Sequence, residues 1–555
     1  MMAEKRRRKC GHQYRGMMMQ QLLGALVLGS LAASTAPAAL VNAATDASGG
    51  GGGVAIIGGT LVNDDGASFL ADVFIRGGTV TKIIARGDDG KQKGAAVEEE
   101  DLKTYEKVVD ATGKLVMPGG IDPHTHMEMP FMGQQACDDF ESGQRAALAG
   151  GTTFHIDFAL PVDGDMRAGL AMYEEKAAKS VMDYGFHMAV TRWDDQARAD
   201  MGWLAAEKGI NSFKFFMAYK GALMVTDEQL VQGMRRAREV GALVQVHAEN
   251  GDAVALGQAE VIAKGITGPE GHYMSRPAVL EDEATARAIR LARFVNVPLY
   301  VVHVMSKGAA EEISRARDLG QRVIGEAVAS GIACDESQVR HPNFKIAAQY
   351  VMSPPIRKKD VDGAALKSML VAGSISIVGT DHAVFNSEQK AKGKNDFRII
   401  PNGVNGIEER LHIVWDEMVN SGLATPAQFV RMVSTDVAKA FNIYPQKGRV
   451  CVGCDADVIV FDPEAWHTIS ASTHHSNMDT NIYEGRKVKG RVTSTISRGR
   501  LVYHNGTLDV ERGSGRRVIF KPFGPLFEGL DRIDERRSQP AVKRLDLGAD
   551  ASTEL

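Results

Sequence analysis

The sequence predicts an α/β fold, a (β/α)8 TIM-like barrel with a smaller β-sandwich domain assembled from both chain ends. Three observations carry this expectation. The centre of the chain alternates apolar strand-like segments with Ala-, Glu- and Arg-rich helical stretches such as DEATARAIRLARFV, in eight units. Short strands with Gly turns precede that centre, in VAIIGGTLV and ADVFIRGGTVTKIIA, and return after it, in DADVIVFDP and VKGRVTSTISRGRLVYHNGTL. The 59 glycines against 6% aromatic residues suit a chain with many strand–helix turns. A doubly wound open sheet is the alternative for the same alternation. No internal repeat or coiled-coil heptad is present.

Taken in order, residues 1–53 form a leader and glycine joint. The leader has a basic run from Lys5 to Lys9, an apolar stretch from Leu22 to Ala33, and small residues up to Ala43. These are the parts of a secretory signal peptide, and the apolar stretch is too short for a stable membrane span. A plastid or mitochondrial transit peptide is the rival, being likewise Arg-rich and acid-poor. Residues 54–116 supply the first part of the sandwich, 117–445 the barrel, 446–520 the second part of the sandwich, and 521–555 a tail. The barrel strands are read as LVMPGGID, GTTFHIDF, YGFHMAV, NSFKFFM, ALVQVHA, PLYVVHV, RVIGEAV and SISIVGTD.

Composition narrows the function classes. With 44% hydrophobic and 24% charged residues, the chain falls in the soluble globular range. A net charge of −4, on a body made more acidic by the basic leader, argues against nucleic acid as a partner. Five cysteines are too few and too scattered for a disulfide framework. Cys451 and Cys454 have C-x-x-C spacing without a second pair, and are read as plain core or surface cysteines that could pair if the chain is secreted.

Chemistry concentrates where the apolar strands end. The first strand leads into His124 and His126, the fourth holds Lys214, the fifth ends at His247, the sixth at His303 and the eighth at Asp381. Barrel active sites lie at the C-terminal strand ends, so these six side chains are expected to converge on one metal-binding pocket. A single strand-end histidine is more often structural, but six in this order, opening with His-x-His, point to metal. His382 follows Asp381 and on a strand faces the other way, which favours a supporting role. His155, His187, His272 and His412 have no partner pattern and read as structural. Asp157 and Glu249 are candidate carboxylates for orienting ligand histidines.

At these residues the sequence resembles the cyclic amidohydrolases of the dihydropyrimidinase and hydantoinase family, over roughly residues 54–540. The segments that carry the likeness include GGIDPHTH, INSFKFFMAYKG, HAENGDAV, GITGPEGH, YVVHVMS, YVMSPPIR, IPNGVNGIEER and NIYPQKG. The resemblance implies two zinc ions. His124, His126 and Asp381 would hold the more buried one, His247 and His303 the second, and a carbamate on Lys214 would bridge them. It further implies attack of an activated water on a ring carbonyl, with Asp381 as general base and then general acid. Tyr219 would donate to the oxyanion, and Ser353 and Asn402 would hold the imide edge through main-chain groups. Phe131, Phe216 and Leu223 are candidates for an apolar wall beside a ring substituent, with ordinary packing as the plain alternative. A homotetramer is implied, with the C-terminal tail reaching a neighbouring subunit.

The resemblance also narrows the substrate, expected to be a small cyclic ureide. Dihydroorotases carry an Arg just after the His-x-His pair. Here Met127, Glu128 and Met129 follow, which disfavours a carboxylated ring. Allantoinases differ around the MAYK and IPNG segments. Dihydrouracil and dihydrothymine, opened to N-carbamoyl-β-amino acids in reductive pyrimidine catabolism, are the expected substrates. Hydantoinase or allantoinase activity is the alternative. A non-enzymatic scaffold like the collapsin-response-mediator proteins is disfavoured, because those lack a complete ligand set. Two departures from the family pattern stand out. Ala383 replaces a common cysteine, and Glu326-Ala327 replaces Glu-Pro, which is expected to loosen the seventh loop.

Overall fold

The structure is a computed structural model in which residues 52–87, 99–539 and 541–542 are described. The basic run and apolar stretch of the leader, and residues 543–548 of the basic tail, lie outside the described residues. Among the described residues no helix is long and apolar enough to cross a membrane.

Eight parallel strands form one sheet in sequential order: Gly120–Thr125, Thr152–Ala159, Asp183–Val190, Ser212–Phe216, Leu243–His247, Leu299–Val304, Val323–Val328 and Ile377–Gly379. The first and last of these meet, closing the barrel. Thr125 bridges to His382, and the buried Asp122 carboxylate accepts hydrogen bonds from the Thr380 amide (3.2 Å) and hydroxyl (2.5 Å). Because strand side chains alternate, Phe154, Ile156, Phe158, Tyr300 and Val302 share one core while Phe213 and Phe215 belong to another. The first of these cores fills the barrel interior, and the second packs under the surrounding helices. Those helices carry ordinary start signals. Asp194 caps Asp195–Glu207, and Thr226 with Gln229 forms a capping box on Asp227–Glu239. The latter buries Leu230, Met234 and Ala237 on its inner face.

Arg410, fully buried, sits where the barrel closes. Its guanidinium donates to the carbonyls of Ile121 (2.9 Å), Val378 (3.0 Å) and Val433 (3.2 Å), and to the Thr152 hydroxyl (3.0 Å). The charge thus meets dipoles from the first, second and eighth strands, which satisfies a group that burial would otherwise penalise.

A separate nine-stranded sheet joins the two ends of the described chain. Five of its strands precede the barrel, from Val54–Val62 to Leu115–Pro118, and four follow it, from Val458–Thr468 to Thr507–Leu508. The seam is the antiparallel pairing of Leu115–Pro118 with Val458–Phe461. Val54, Ile56 and Val73 from the first group share a core with Val458, Val460 and Ile496 from the second.

Some expectations need correction. LVMPGGID is not one barrel strand: Leu115–Pro118 belongs to the nine-stranded sheet, and the barrel starts at Gly120. Continuous hydrophobicity hid the change of sheet. Cys451 and Cys454 are joined by a disulfide, not free. They lie in a turn rather than a strand, with Cα atoms 5.3 Å apart, inside the usual reach of a disulfide. The Glu326-Ala327 pair does not loosen a loop, because both residues are buried in the strand Val323–Val328 and pair with Ile377 and Val378. By contrast, the DERR segment, read as a solvated end or an arm to a neighbour, keeps Glu535 and Arg537 exposed in the helix Leu530–Arg537. Asn296 ties that helix to its own chain, donating to the Leu530 carbonyl (3.0 Å) and to Asp534 (2.9 Å).

A buried ion cluster links the start of the third barrel strand to the C-terminal part of the sheet. Lys447 lies 3.0 Å from Asp183, 3.0 Å from Asp455 and 2.6 Å from Asp457. Removing one side of a buried pair strands the other charge, a loss of about 3–5 kcal/mol. Lys447→Met is therefore expected to lower stability by about that amount. Denaturant unfolding followed by circular dichroism checks it, and an unchanged midpoint would contradict the assignment.

Candidate metal centre

All six residues singled out at strand ends line one cavity, together with Tyr219, Ser353 and Asn402. Two clusters of ring nitrogens and carboxylate oxygens form its floor. Asp381 Oδ1 lies 3.2 Å from His124 Nε2 and 3.1 Å from His126 Nε2. Beside them, His247 Nδ1 faces His303 Nε2 at 2.8 Å. The His124 and His303 rings, with centroids 5.3 Å apart, join the two groups. Lys214 rises from the fourth strand between aromatic faces, its Nζ 4.6 Å from the Phe158 ring centre and 5.3 Å from that of Phe216.

Local backbone turns these side chains into the mouth. By alternation from Tyr300 and Val302, His303 would point outward. The pairing slips between Val301 and Val304, and His303 takes a left-handed φ of 38°, which redirects its ring. A similar slip between Asp122 and Thr125 accompanies His124. Asp381 (φ 53°) and Tyr219 (φ 64°) are also left-handed. Such conformations cost non-glycine residues about 1–3 kcal/mol each and persist where surrounding structure enforces them.

The electrostatics suit a cation. Burial alone would raise the Asp381 carboxyl, but His124 and His126 hold it well below the usual range. Burial would lower His124, yet Glu326 and Asp381 keep it up, at about 9. His124 Nε2 is buried without an aligned hydrogen bond, and His247 Nδ1 and His303 Nε2 share one hydrogen bond, a pair of ring nitrogens that a cation could take over by displacing the shared proton. Imidazole nitrogens plus carboxylate oxygen are the donor set of zinc-type ions. Lys214 is the misfit as an ammonium. Burial pulls it down to about 8, and it makes no hydrogen bond or ion pair with another described residue.

Supporting carboxylates complete the centre. Glu249 lies 2.8 Å from His247 Nε2 and 2.7 Å from Arg276. Burial opposes its charge, but Arg276 and His247 hold it at about 2. The suggested role for Glu249 therefore matches the geometry. Asp157 differs: it accepts from the Thr125 hydroxyl (2.7 Å) and the Met127 amide (2.8 Å), steadying the backbone around His126 rather than a ligand ring. His382 faces away, with Nε2 3.0 Å from Asp138 and Nδ1 accepting from the Gly406 amide at 3.2 Å. His155, His187 and His412 are hydrogen-bonded within the fold. His272 touches the rim, 2.8 Å from the Met352 carbonyl and 3.3 Å from Ser353 Oγ.

Sequence reasoning named Glu326 only for the alanine that follows it and missed its role. Its Oε1 lies 2.7 Å from His124 Nδ1 and accepts the His303 amide at 3.0 Å, while Oε2 accepts the Tyr300 hydroxyl at 2.7 Å. A charge inside the apolar strand RVIGEAV was the available signal. By engaging Nδ1, Glu326 leaves Nε2 of His124 free to bind a cation. Glu326→Gln is expected to weaken metal affinity about 10–100-fold. Competition with a chromogenic chelator measures this, and wild-type affinity in the variant would refute the role.

Phe131, Phe216 and Leu223 line the cavity as expected, with Met129 and Leu160. Asn402 Nδ2 donates to Ser353 Oγ at 2.9 Å. Burial raises the Tyr219 phenol, against opposing effects of Arg276, Glu249's neighbour, and of Ser353 and Asn402. Among the described residues the lining contains no arginine.

Comparison with known proteins agrees with this geometry. The model of the "Amidohydrolase family" matches residues 115–502. The chain is 55% identical over 479 residues to dihydropyrimidinase of Arabidopsis thaliana, covering 86% of this chain and 87% of that one. Among solved structures it is similar to dihydropyrimidinase from Brevibacillus agri, with a TM-score of 0.80 and 42% identity over 85% of this chain and 99% of that one. It is also similar to D-hydantoinase from a Bacillus sp., with a TM-score of 0.79 and 41% identity at the same coverage.

Proposed function

The chain belongs to the amidohydrolase family, and from that membership we propose that it is a metal-dependent dihydropyrimidinase. It opens 5,6-dihydrouracil and dihydrothymine to N-carbamoyl-β-amino acids. The observation that carries this reading is the convergence of His124, His126, Lys214, His247, His303 and Asp381 beneath Tyr219, Ser353 and Asn402 in one cavity.

His124, His126 and Asp381 would hold one divalent ion and His247 with His303 a second. Zinc is the metal that best suits this donor set. When bound, the pair of ions supplies Lewis-acid polarisation of a ring carbonyl and a water of lowered pKa. Lys214 would serve both ions as a carbamate. Its depressed pKa, about 8, leaves neutral amine available near neutral pH. The amine nitrogen bonds to the carbon of carbon dioxide and releases a proton, giving an anionic two-oxygen ligand.

The remaining work belongs to this chain's side chains. Asp381 takes the proton of the attacking water and delivers it to the ring nitrogen as the ring C–N bond breaks. Tyr219, kept protonated by its raised pKa, donates to the developing oxyanion. Main-chain groups at Ser353 and Asn402 hold the imide edge. The apolar wall and the absence of arginine in the described lining favour a neutral ring. Hydantoins share the imide edge and form the second substrate class, in keeping with the likeness to D-hydantoinase.

The same reading includes a homotetramer, a leader directing the chain to the secretory pathway, and the division into sandwich and barrel at the boundaries given above, with the first sandwich part extended to Pro118. The decisive experiment compares rates on dihydrouracil, hydantoin, allantoin and dihydroorotate with zinc present, before and after chelation. Loss of dihydrouracil turnover on chelation and its return with zinc are expected. Preference for allantoin or dihydroorotate would overturn the substrate assignment.

A further inference from the structure

Lys390 is one of the most deeply buried lysines in the described chain, 2% exposed, yet no carboxylate pairs with it. Its Nζ donates to two backbone carbonyls, Val351 at 3.1 Å and Gly403 at 2.8 Å. These carbonyls belong to the two loops that present Ser353 and Asn402 to the cavity. Val351 also accepts the Gly403 amide at 2.9 Å, so one oxygen joins both loops to the lysine. Gly403 has φ 145°, and a Cβ there would lie 1.9 Å from the Ala383 carbonyl, so this loop is wedged against the residues following Asp381.

The short helix that carries Lys390, Ser387–Ala391, reaches a third part of the site. Gln389 donates to the Gln135 carbonyl at 2.7 Å and accepts from Gln134 at 3.3 Å. Those residues form the return strand of the hairpin whose other strand, Pro130–Phe131, places Phe131 in the cavity wall. A buried ammonium without an anion is costly. Here the cost coincides with a clamp on three segments that face the substrate, although Lys390 itself does not line the cavity.

We propose that Lys390 is a positioning residue for substrate recognition: it locks the Ser353 and Asn402 loops in the spacing that accepts an imide edge. The proposal rests on the cyclic-ureide reading above. Burial lowers the lysine to about 7, and Cys137 acts the other way. Both charge states keep N–H donors for the two carbonyls, so the clamp persists across neutral pH.

The test uses full-length protein carrying Lys390→Met, which fills the space without donors, and Lys390→Gln, which retains an amide donor. Dihydrouracil kinetics and zinc content are measured together with amide hydrogen exchange of residues 400–405. For Lys390→Met, KM is expected to rise about ten-fold or more while kcat and zinc content stay near wild type, since two buried hydrogen bonds are lost away from the metals. Lys390→Gln should fall between, and exchange at the Gly403 amide should accelerate in both. Wild-type KM and exchange in Lys390→Met would overturn the proposal. So would parallel loss of kcat and zinc, or failure of both variants to fold, either of which would make Lys390 a general folding residue. If the wild-type protein opens no cyclic ureide, the functional reading fails, while the exchange measurement still decides whether Lys390 clamps the loops.

Discussion

Lys214→Ala is expected to lower kcat/KM for dihydrouracil by on the order of 10³-fold or more, because the several kcal/mol supplied by a metal pair depend on a ligand shared between them. The side chain is buried and lines the cavity, with its Nζ near the rings of Phe158 and Phe216. As an ammonium it would repel cations, whereas as the proposed carbamate it would be an anion. Alanine removes that anion and leaves space where it stood. Metal content should therefore fall, and a short carboxylate such as propionate should restore part of both metal and activity. Full activity of the variant without added carboxylate would rule out the carbamate.

Asp381→Asn should cost a comparable factor, about 10²–10⁴ for loss of a positioned proton carrier. The substitution keeps shape and one oxygen acceptor but removes the charge held against His124 and His126 at 3.2 and 3.1 Å. Two consequences separate from those of Lys214→Ala. Carboxylate rescue should fail, because the proton carrier is itself gone. The variant should also show no rate loss tied to carboxyl protonation, whereas the native protein keeps Asp381 ionised well below the ordinary carboxylate range and loses rate only there. Stopped assays across pH, with metal content measured on the same samples, check both. A variant with wild-type metal content and undiminished rate would remove Asp381 from the chemistry.

Much of this site is legible before folding. Metal-type residues at the ends of hydrophobic segments need only two local facts, strand hydrophobicity and position within the segment. That is why His124, His126, Lys214, His247, His303 and Asp381 could all be named, and the cavity contains every one. Tyr219, Ser353 and Asn402 are different. They sit on loops without periodicity, and only the family resemblance suggested them. Glu326 escaped because its role is relational: it touches His124, His303 and Tyr300, from two other strands, and nothing near position 326 encodes them. Lys390 escaped for the same reason, since its partners are main-chain carbonyls whose position depends on how two loops meet.

The fold divides in the same way. Alternating helix and strand patterns determined the barrel, and two groups of short strands determined a second sheet built from both ends. Hydrophobicity could not say that LVMP leaves one sheet before GGID enters another, because both stretches are buried. Nor could it show which way His303 faces. Alternation by itself turns that ring away from the cavity, and the slip in pairing beside Val304 turns it back. The sequence by itself therefore determined which candidate ligand residues stand at or near strand ends and share one cavity. The tertiary structure decided how they face, because a bulge is set by registration against a neighbouring strand and a buried charge by partners distant in the chain.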